Sequence, residues 1–382
     1  MASIAQTLED ASANIILNAK NGISNGNGHE PTRTPLKPTG ILDNHEHFDL
    51  TPVIGREFPE ANLVEWLQSP NADELLTELA YLISSRGVVY FRKQDNLTNN
   101  LQKQLIQRLG ELSGKPSSST LHIHPVLNSE GEIDETRDPD AQISTISSKL
   151  FKKVYSTPAA TGRSSKKQSS DQWHSDIAFE PVPADYTSLR LTQLPKTGGD
   201  TLWASGYEIY DRISTPVQKF LETLTAHFAR PDFTAAAVRG GFTIYSKARG
   251  SPENVGDSLS ADHPVVRTNP VTGWKSVYPV GQHAQYIKDV TAEESDMFLG
   301  WFKTLLKDNH DLQCRFKWKN VNDIAIWDNH STFHNATFDF EGLGDRAGNR
   351  AVGIGERPFF DPSSKSRREA LEGSEIGTYF KV

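Results

Sequence analysis

Gln172-Trp173-His174-Ser175-Asp176 sets a histidine and an aspartate two residues apart. In an extended strand, side chains at i and i+2 point to the same face. His174 and Asp176 therefore converge on one point from a single rigid element. An imidazole nitrogen and a carboxylate oxygen are two of the three ligands of a non-haem iron(II) facial triad. The plainer reading is a structural hydrogen-bonded pair, and one His-x-Asp occurs by chance. A third ligand elsewhere in the chain would separate the two readings.

Downstream, Asp323-Ile324-Ala325-Ile326-Trp327-Asp328 is an apolar strand running into a polar segment with His330 and His334. Arg346 and Arg350 follow, and Gly198-Gly199-Asp200-Thr201 offers a hydroxyl on a turn. A guanidinium matches a carboxylate bidentately, which a lysine cannot do. Taken singly, each of these residues has a bland alternative. A strand arginine is more often a surface ion-pair partner, and His122 or His124 alone is an ordinary polar residue.

The 382 residues suffice for one large domain or two ordinary ones, and a net charge of −8 with no basic domain argues against nucleic acid as a partner. The single cysteine, Cys314, allows no intrachain disulfide and points to a reducing, cytoplasmic setting; its alternating surroundings read as core. No apolar run is long enough to span a membrane, and the N-terminus lacks the pattern of a secretory signal. A homo-oligomer is left open.

Residues 1–47 read as a disordered or weakly ordered tail, rich in Gly and Asn near Asn21–Gly28, and residues 48–382 as the folded domain. Leu75, Leu76, Leu79, Leu82 and Ile83 predict a helix over 72–86, with a strand at 87–92 and a second helix at 100–112. The polar stretch 128–170 reads as a long excursion and a candidate lid. Strands are expected at 187–194, 201–203, 265–268, 275–280, 312–318, 324–327 and 350–355, and helices at 207–213, 217–228 and 291–307. Many strands with helices that never alternate regularly with them predict an α+β, mostly β fold. Its core would be a double-stranded β-helix, or jelly roll, with flanking helices.

In this order the motifs become specific. The chain resembles the taurine/α-ketoglutarate dioxygenase (TauD/TfdA) family, and fungal sulfonate dioxygenases within it, over roughly 87–360. The resemblance rests on Gly87-Val88-Val89-Tyr90-Phe91-Arg92, Leu121-His122-Ile123-His124-Pro125, Trp173-His174-Ser175-Asp176 and Gly198-Gly199-Asp200-Thr201-Leu202-Trp203. Trp327-Asp328-Asn329 and the Arg346/Arg350 pair complete it.

It implies that His174, Asp176 and His334 bind Fe(II), with Arg346 and Thr201 holding 2-oxoglutarate. Arg350 and His124 would bind a small anionic substrate, and O₂ would be the third reactant. The family usually has arginine where His330 stands, so His334 fits the ligand position and His330 reads as a neighbouring or surface residue. Trp173, Trp203 and Trp327 read as core; Phe179 and Tyr278 could line the pocket or belong to the core. An insertion at 113–120 and Leu127 in place of a frequent tyrosine put the substrate, rather than the iron, in question.

The implied reaction is hydroxylation coupled to oxidation of 2-oxoglutarate to succinate and CO₂. A sulfonate such as taurine would then collapse to an aldehyde and sulfite. The alternatives are an alkyl sulfate, an aryloxyacetate or a biosynthetic carboxylate. Other classes are a non-oxidative cupin-type metalloenzyme and a metal-free binding module. Only the oxygenase requires Arg346.

Overall fold

The computed structural model describes residues 34–127, 140–150 and 172–372. Its strands are β1 Phe48–Asp49, β2 Arg56–Phe58, β3 Val88–Phe91, β4 Ser144–Ser147, β5 Ala184–Gln193, β6 Thr201–Ser205, β7 Thr225–Ala229 and β8 Ser260–Pro264. They continue with β9 Val266–Thr268, β10 Lys275–Val277, β11 Ala284–Ile287, β12 Gln313–Phe316, β13 Ile324–Asp328, β14 Thr332–Ala336 and β15 Ala347–Ile354. The large sheet has the order β1-β2-β3-β13-β5-β15-β4, and smaller sheets are β12-β6-β14, β11-β7-β8 and β10-β9. The architecture is mostly sheet, with helices added.

β13 explains the layering. Each of its five residues is buried, as expected for a strand covered on both faces. Ile324 and Ile326 pack with Phe58 of β2 and with Leu76, Leu79 and Ile83 of the helical layer. Ala325 and Trp327 turn the other way, onto Trp203 of β6 and Cys314 and Phe316 of β12. The chain then leaves β13, turns at Asn329–Ser331 and enters β14 of the smaller sheet. One connection thus links the two sheets.

Several expected elements appear as read. The Ala72–Arg86 helix buries Leu75, Leu76, Leu79, Leu82 and Ile83. The helix Ala292–Asp308 begins at a Thr291/Glu294 capping box. Cys314 is buried.

Two readings need correction. The helix expected over 217–228 stops at Leu221, and Thr225–Ala229 is the central strand β7 between β8 and β11. Ala226 and Phe228 face the core there while Thr225 and His227 do not, a period of two rather than 3.6. The tail was drawn too long. The Leu36 amide donates to the Val271 carbonyl at 2.8 Å, Thr39 donates to Glu78, and Leu42 is buried in the main core. A few apolar side chains anchor a segment whose composition looked like a linker. The candidate lid at 128–170 lies largely outside the described residues.

Candidate metal centre

The His174 stretch and β14 meet as a two-residue antiparallel bridge. The His174 amide donates to the His334 carbonyl at 3.1 Å and the His334 amide returns the bond at 2.9 Å. Strand pairing therefore brings together residues far apart in the chain. Nε2 of both His174 and His334 lies 3.9 Å from Asp176 Oδ1. One donor atom from each of the three residues lies within 4.8 Å of the others. Among the described residues this is the only group of three or more His, Cys, Asp or Glu side chains so arranged.

The donor set suits a divalent iron. His174 Nδ1 sits 2.7 Å from the Gln172 carbonyl, so it carries the proton and leaves Nε2 bare. Asp176 Oδ2 and His334 Nδ1 are buried without a hydrogen-bond partner. Burial keeps both imidazoles neutral, with His334 lowered to about 3. Burial opposes the charge on Asp176, but the Arg350 guanidinium, with His334 and His174, holds its carboxyl well below the usual range. Two neutral nitrogens and one carboxylate oxygen are a facial set with open positions.

Asn329 locks this geometry. Its Oδ1 accepts from the Asp176 amide at 3.1 Å, and its carbonyl accepts from Ser175 Oγ at 2.8 Å. Its Nδ2 donates to Thr187 Oγ1 at 2.9 Å and to the Asp185 carbonyl at 3.2 Å. One amide side chain thus ties the aspartate ligand to β5. Groups that orient metal ligands typically affect metal affinity about 10–100-fold. Asn329→Ala should therefore weaken Fe(II) binding by about that factor while the fold persists, measured by metal titration. Gly281 is also needed, because at φ +90° a Cβ there would stand 1.8 Å from the Trp173 carbonyl oxygen.

Arg346 meets the start of β6. Its Nε donates to the Gly199 carbonyl at 2.9 Å and an Nη to Thr201 Oγ1 at 3.3 Å. Trp318 Nε1 also donates to Thr201 Oγ1, at 3.1 Å. With two donors received, the threonine proton is left to donate outward. Arg346 is buried and makes no ion pair among the described residues; burial lowers its pKa to about 10, with Asp200 opposing. Gly199 at φ +72° brings its backbone so close that a Cβ would be 2.9 Å from Arg346 Cδ. His334 pairs with Trp203, and Thr201 is two residues along the same strand. Thr201 and His334 therefore share a face, roughly 7 Å apart along it.

Arg350 donates to Asp176 Oδ1 at 2.9 Å, and its Nε has no partner. Nδ1 of His124 accepts from the amides of Val126 and Leu127, both at 3.2 Å, which makes Nε2–H its donor edge. Burial, followed by Arg350, keeps that ring neutral. A bulge between Ala347 and Gly348 separates the two arginines, so Arg346 turns to Thr201 and Arg350 to Asp176.

His330 is neither a ligand nor a surface residue. It is fully buried, with Nδ1 2.5 Å from Asp328 Oδ1 and Nε2 3.3 Å from Glu356 Oε1. Burial opposes its charge, but the carboxylates of Asp328 and Glu356 outweigh it and raise the pKa. A cation is thereby kept where the resembling family has arginine. A raised value in the fold means that this contribution is complete below the ordinary pKa near 6.5 and lost as pH rises through the folded one. His330→Arg should remove that part of the stability decline above neutral pH, measured by urea unfolding at several pH values.

Comparison with known proteins agrees with the geometry. The model of the family described as taurine catabolism dioxygenase TauD, TfdA family matches residues 46–352. An alpha-ketoglutarate-dependent dioxygenase, btcD, of Neocamarosporium betae is 51% identical over 345 residues, covering 88% of this chain and 98% of that protein. An alpha-ketoglutarate-dependent sulfonate dioxygenase of Saccharomyces cerevisiae is 29% identical over 357 residues, covering 87% and 78%. The crystal structure of a taurine dioxygenase from Burkholderia xenovorans superposes with a TM-score of 0.60 at 21% identity, covering 84% and 92%.

Proposed function

Because this chain belongs to the TauD/TfdA dioxygenase family, we propose that His174, Asp176 and His334 hold its iron and that Arg346 and Thr201 hold its keto acid. The protein is an alpha-ketoglutarate-dependent dioxygenase using Fe(II), 2-oxoglutarate and O₂. The observation that carries the assignment is Arg346, a buried guanidinium with no counter-ion among the described residues, beside a hydroxyl that shares a strand face with His334. A dicarboxylate chelating a metal needs such a clamp at its far end. A hydrolytic metal site or a binding module has no use for one.

Held by His174, Asp176 and His334, Fe(II) would supply O₂ activation, with 2-oxoglutarate as the source of electrons, for hydroxylation of a substrate C–H bond with release of succinate and CO₂. The chain's own contribution is placement. Arg346 and Thr201 receive the distal carboxylate. Arg350 and His124 receive the anionic head of a small substrate, and Arg350 also steadies Asp176. The substrate is an organic anion, a sulfonate or a biosynthetic carboxylate. Relatives named for sulfonate and for sulfate ester substrates support the first class.

The fold belongs to the same proposal, as a double-stranded β-helix in one domain. The facing of the seven-stranded sheet and β12-β6-β14 across Trp203 and Trp327 supports it. A cytoplasmic location rests on the single buried cysteine.

The test is anaerobic. Fe(II) and then 2-oxoglutarate are added to the protein, and the weak visible charge-transfer band of the chelate should appear. A folded, iron-loaded sample without the band would refute the assignment.

A further inference from the structure

Rings run in unbroken contact from a proposed iron ligand to the proposed anion clamp. His174 meets His283 at a centroid distance of 5.3 Å, and His283 meets Phe179 at 5.3 Å. Phe179 meets Phe233 at 5.6 Å, and Phe233 meets His124 at 5.2 Å. Phe233 comes from the helix Pro231–Gly240, which the sequence reading did not contain. Phe179 and Phe233 pack in one cluster with Val126, Ile177, Val352 and Ile354. Aromatic and aliphatic surface therefore runs from the proposed iron ligand to the proposed clamp.

The charges around this wall are one-sided. Among the described residues, Arg350, Arg249 and Arg230 act on His122, His124, His174 and His283, and Asp176 is the carboxylate with the largest influence on them. Asp176 is held by Arg350. Glu180, next to Phe179, binds Arg249 through two contacts of 2.5 and 2.9 Å and is fully buried. Next to His124, at 6.2 Å between centroids, His122 is buried with neither ring nitrogen partnered, a further polar edge for oxygen atoms. The described residues thus offer an anion several donors and offer an ammonium no uncommitted carboxylate. Burying an ammonium without a counter-charge is strongly unfavourable.

We propose that the substrate is an organic anion whose body beside the acidic head is apolar, lying on the Phe179–Phe233 wall, and that zwitterions such as taurine are poor ligands. This rests on the reading of Arg350 and His124 as the anion clamp. It narrows the substrate to sulfonates or carboxylates without a neighbouring amine.

Isosteric pairs test it. Propane-1-sulfonate differs from taurine, and butyrate from β-alanine, by a methyl in place of an ammonium. Calorimetric titration of the anaerobic Fe(II)–2-oxoglutarate protein should give at least about tenfold tighter binding for the methyl member of each pair. Phe233→Glu, which places a carboxylate on the wall, should shrink or invert that ratio, while Phe233→Leu should keep its sign. Equal or tighter binding of the zwitterions, or no binding of any of the four at tens of millimolar, overturns the proposal. Failure of the wider assignment shows separately in the same samples, because the chelate band would then be missing before any anion is added.

Discussion

Asp176→Ala abolishes turnover and iron retention together. Two neutral imidazoles remain, and the only carboxylate of the cluster is gone. The same substitution strands Arg350, whose Nη1 bonds to Asp176 Oδ1 at 2.9 Å in a largely buried setting. Removing one partner of a buried pair costs about 3–5 kcal/mol, so the midpoint of unfolding falls as well. The two losses are separable. Asp176→Ala combined with Arg350→Met removes the stranded charge and should recover much of the stability, but neither succinate release nor iron binding. Unfolding curves, iron content and succinate assays on the three proteins check this. A single variant that keeps iron and turnover would rule out the triad.

Arg346→Ala raises the 2-oxoglutarate requirement more than any other change outside the triad. The guanidinium is buried and makes no ion pair among the described residues. It bonds only to the Gly199 carbonyl and Thr201 Oγ1. Its charge is available to an incoming carboxylate. Truncating one side of a buried charge pair costs about 2–5 kcal/mol, or roughly 30-fold to several-thousand-fold in affinity. Saturating 2-oxoglutarate should restore much of kcat, because Arg346 does not touch the triad. Arg346→Lys should recover only part of the affinity, since an ammonium cannot form the paired bonds of the guanidinium. Titration of the chelate band gives the dissociation constant directly. An unchanged constant would place the keto acid elsewhere.

The proposed triad came from a local, chemical signal. His174 and Asp176 need only period-two alternation to share a face, and His334 was named through the family resemblance, by its distance from Trp327-Asp328-Asn329. Arg346 and Thr201 were proposed through motif order within the same resemblance. Asn329 was legible only as part of a motif. Its role emerges when one side chain is seen to bond to Asp176, Asp185 and Thr187 at once. His330 was misjudged as a candidate surface residue because a histidine in a polar segment looks exposed. Burial between Asp328 and Glu356 depends on a residue 26 positions later. β7 was read as helix because three helix-compatible residues continued a real helix, and only pairing with β8 and β11 decided otherwise.

The sequence by itself determined the mostly-β character of the chain, through strand period, and which side chains are chemically suited to be ligands or a carboxylate clamp. Tertiary structure alone decided that His174 and His334 face each other across a two-residue bridge. It also decided that Arg350 leans on Asp176 and that the rings of His174, His283, Phe179, Phe233 and His124, from four separate stretches, run in contact. The physical reason is range. Periodicity and spacing report what neighbours in the chain can do, whereas burial, charge balance and ring contacts are set by residues brought together from tens to more than a hundred positions apart.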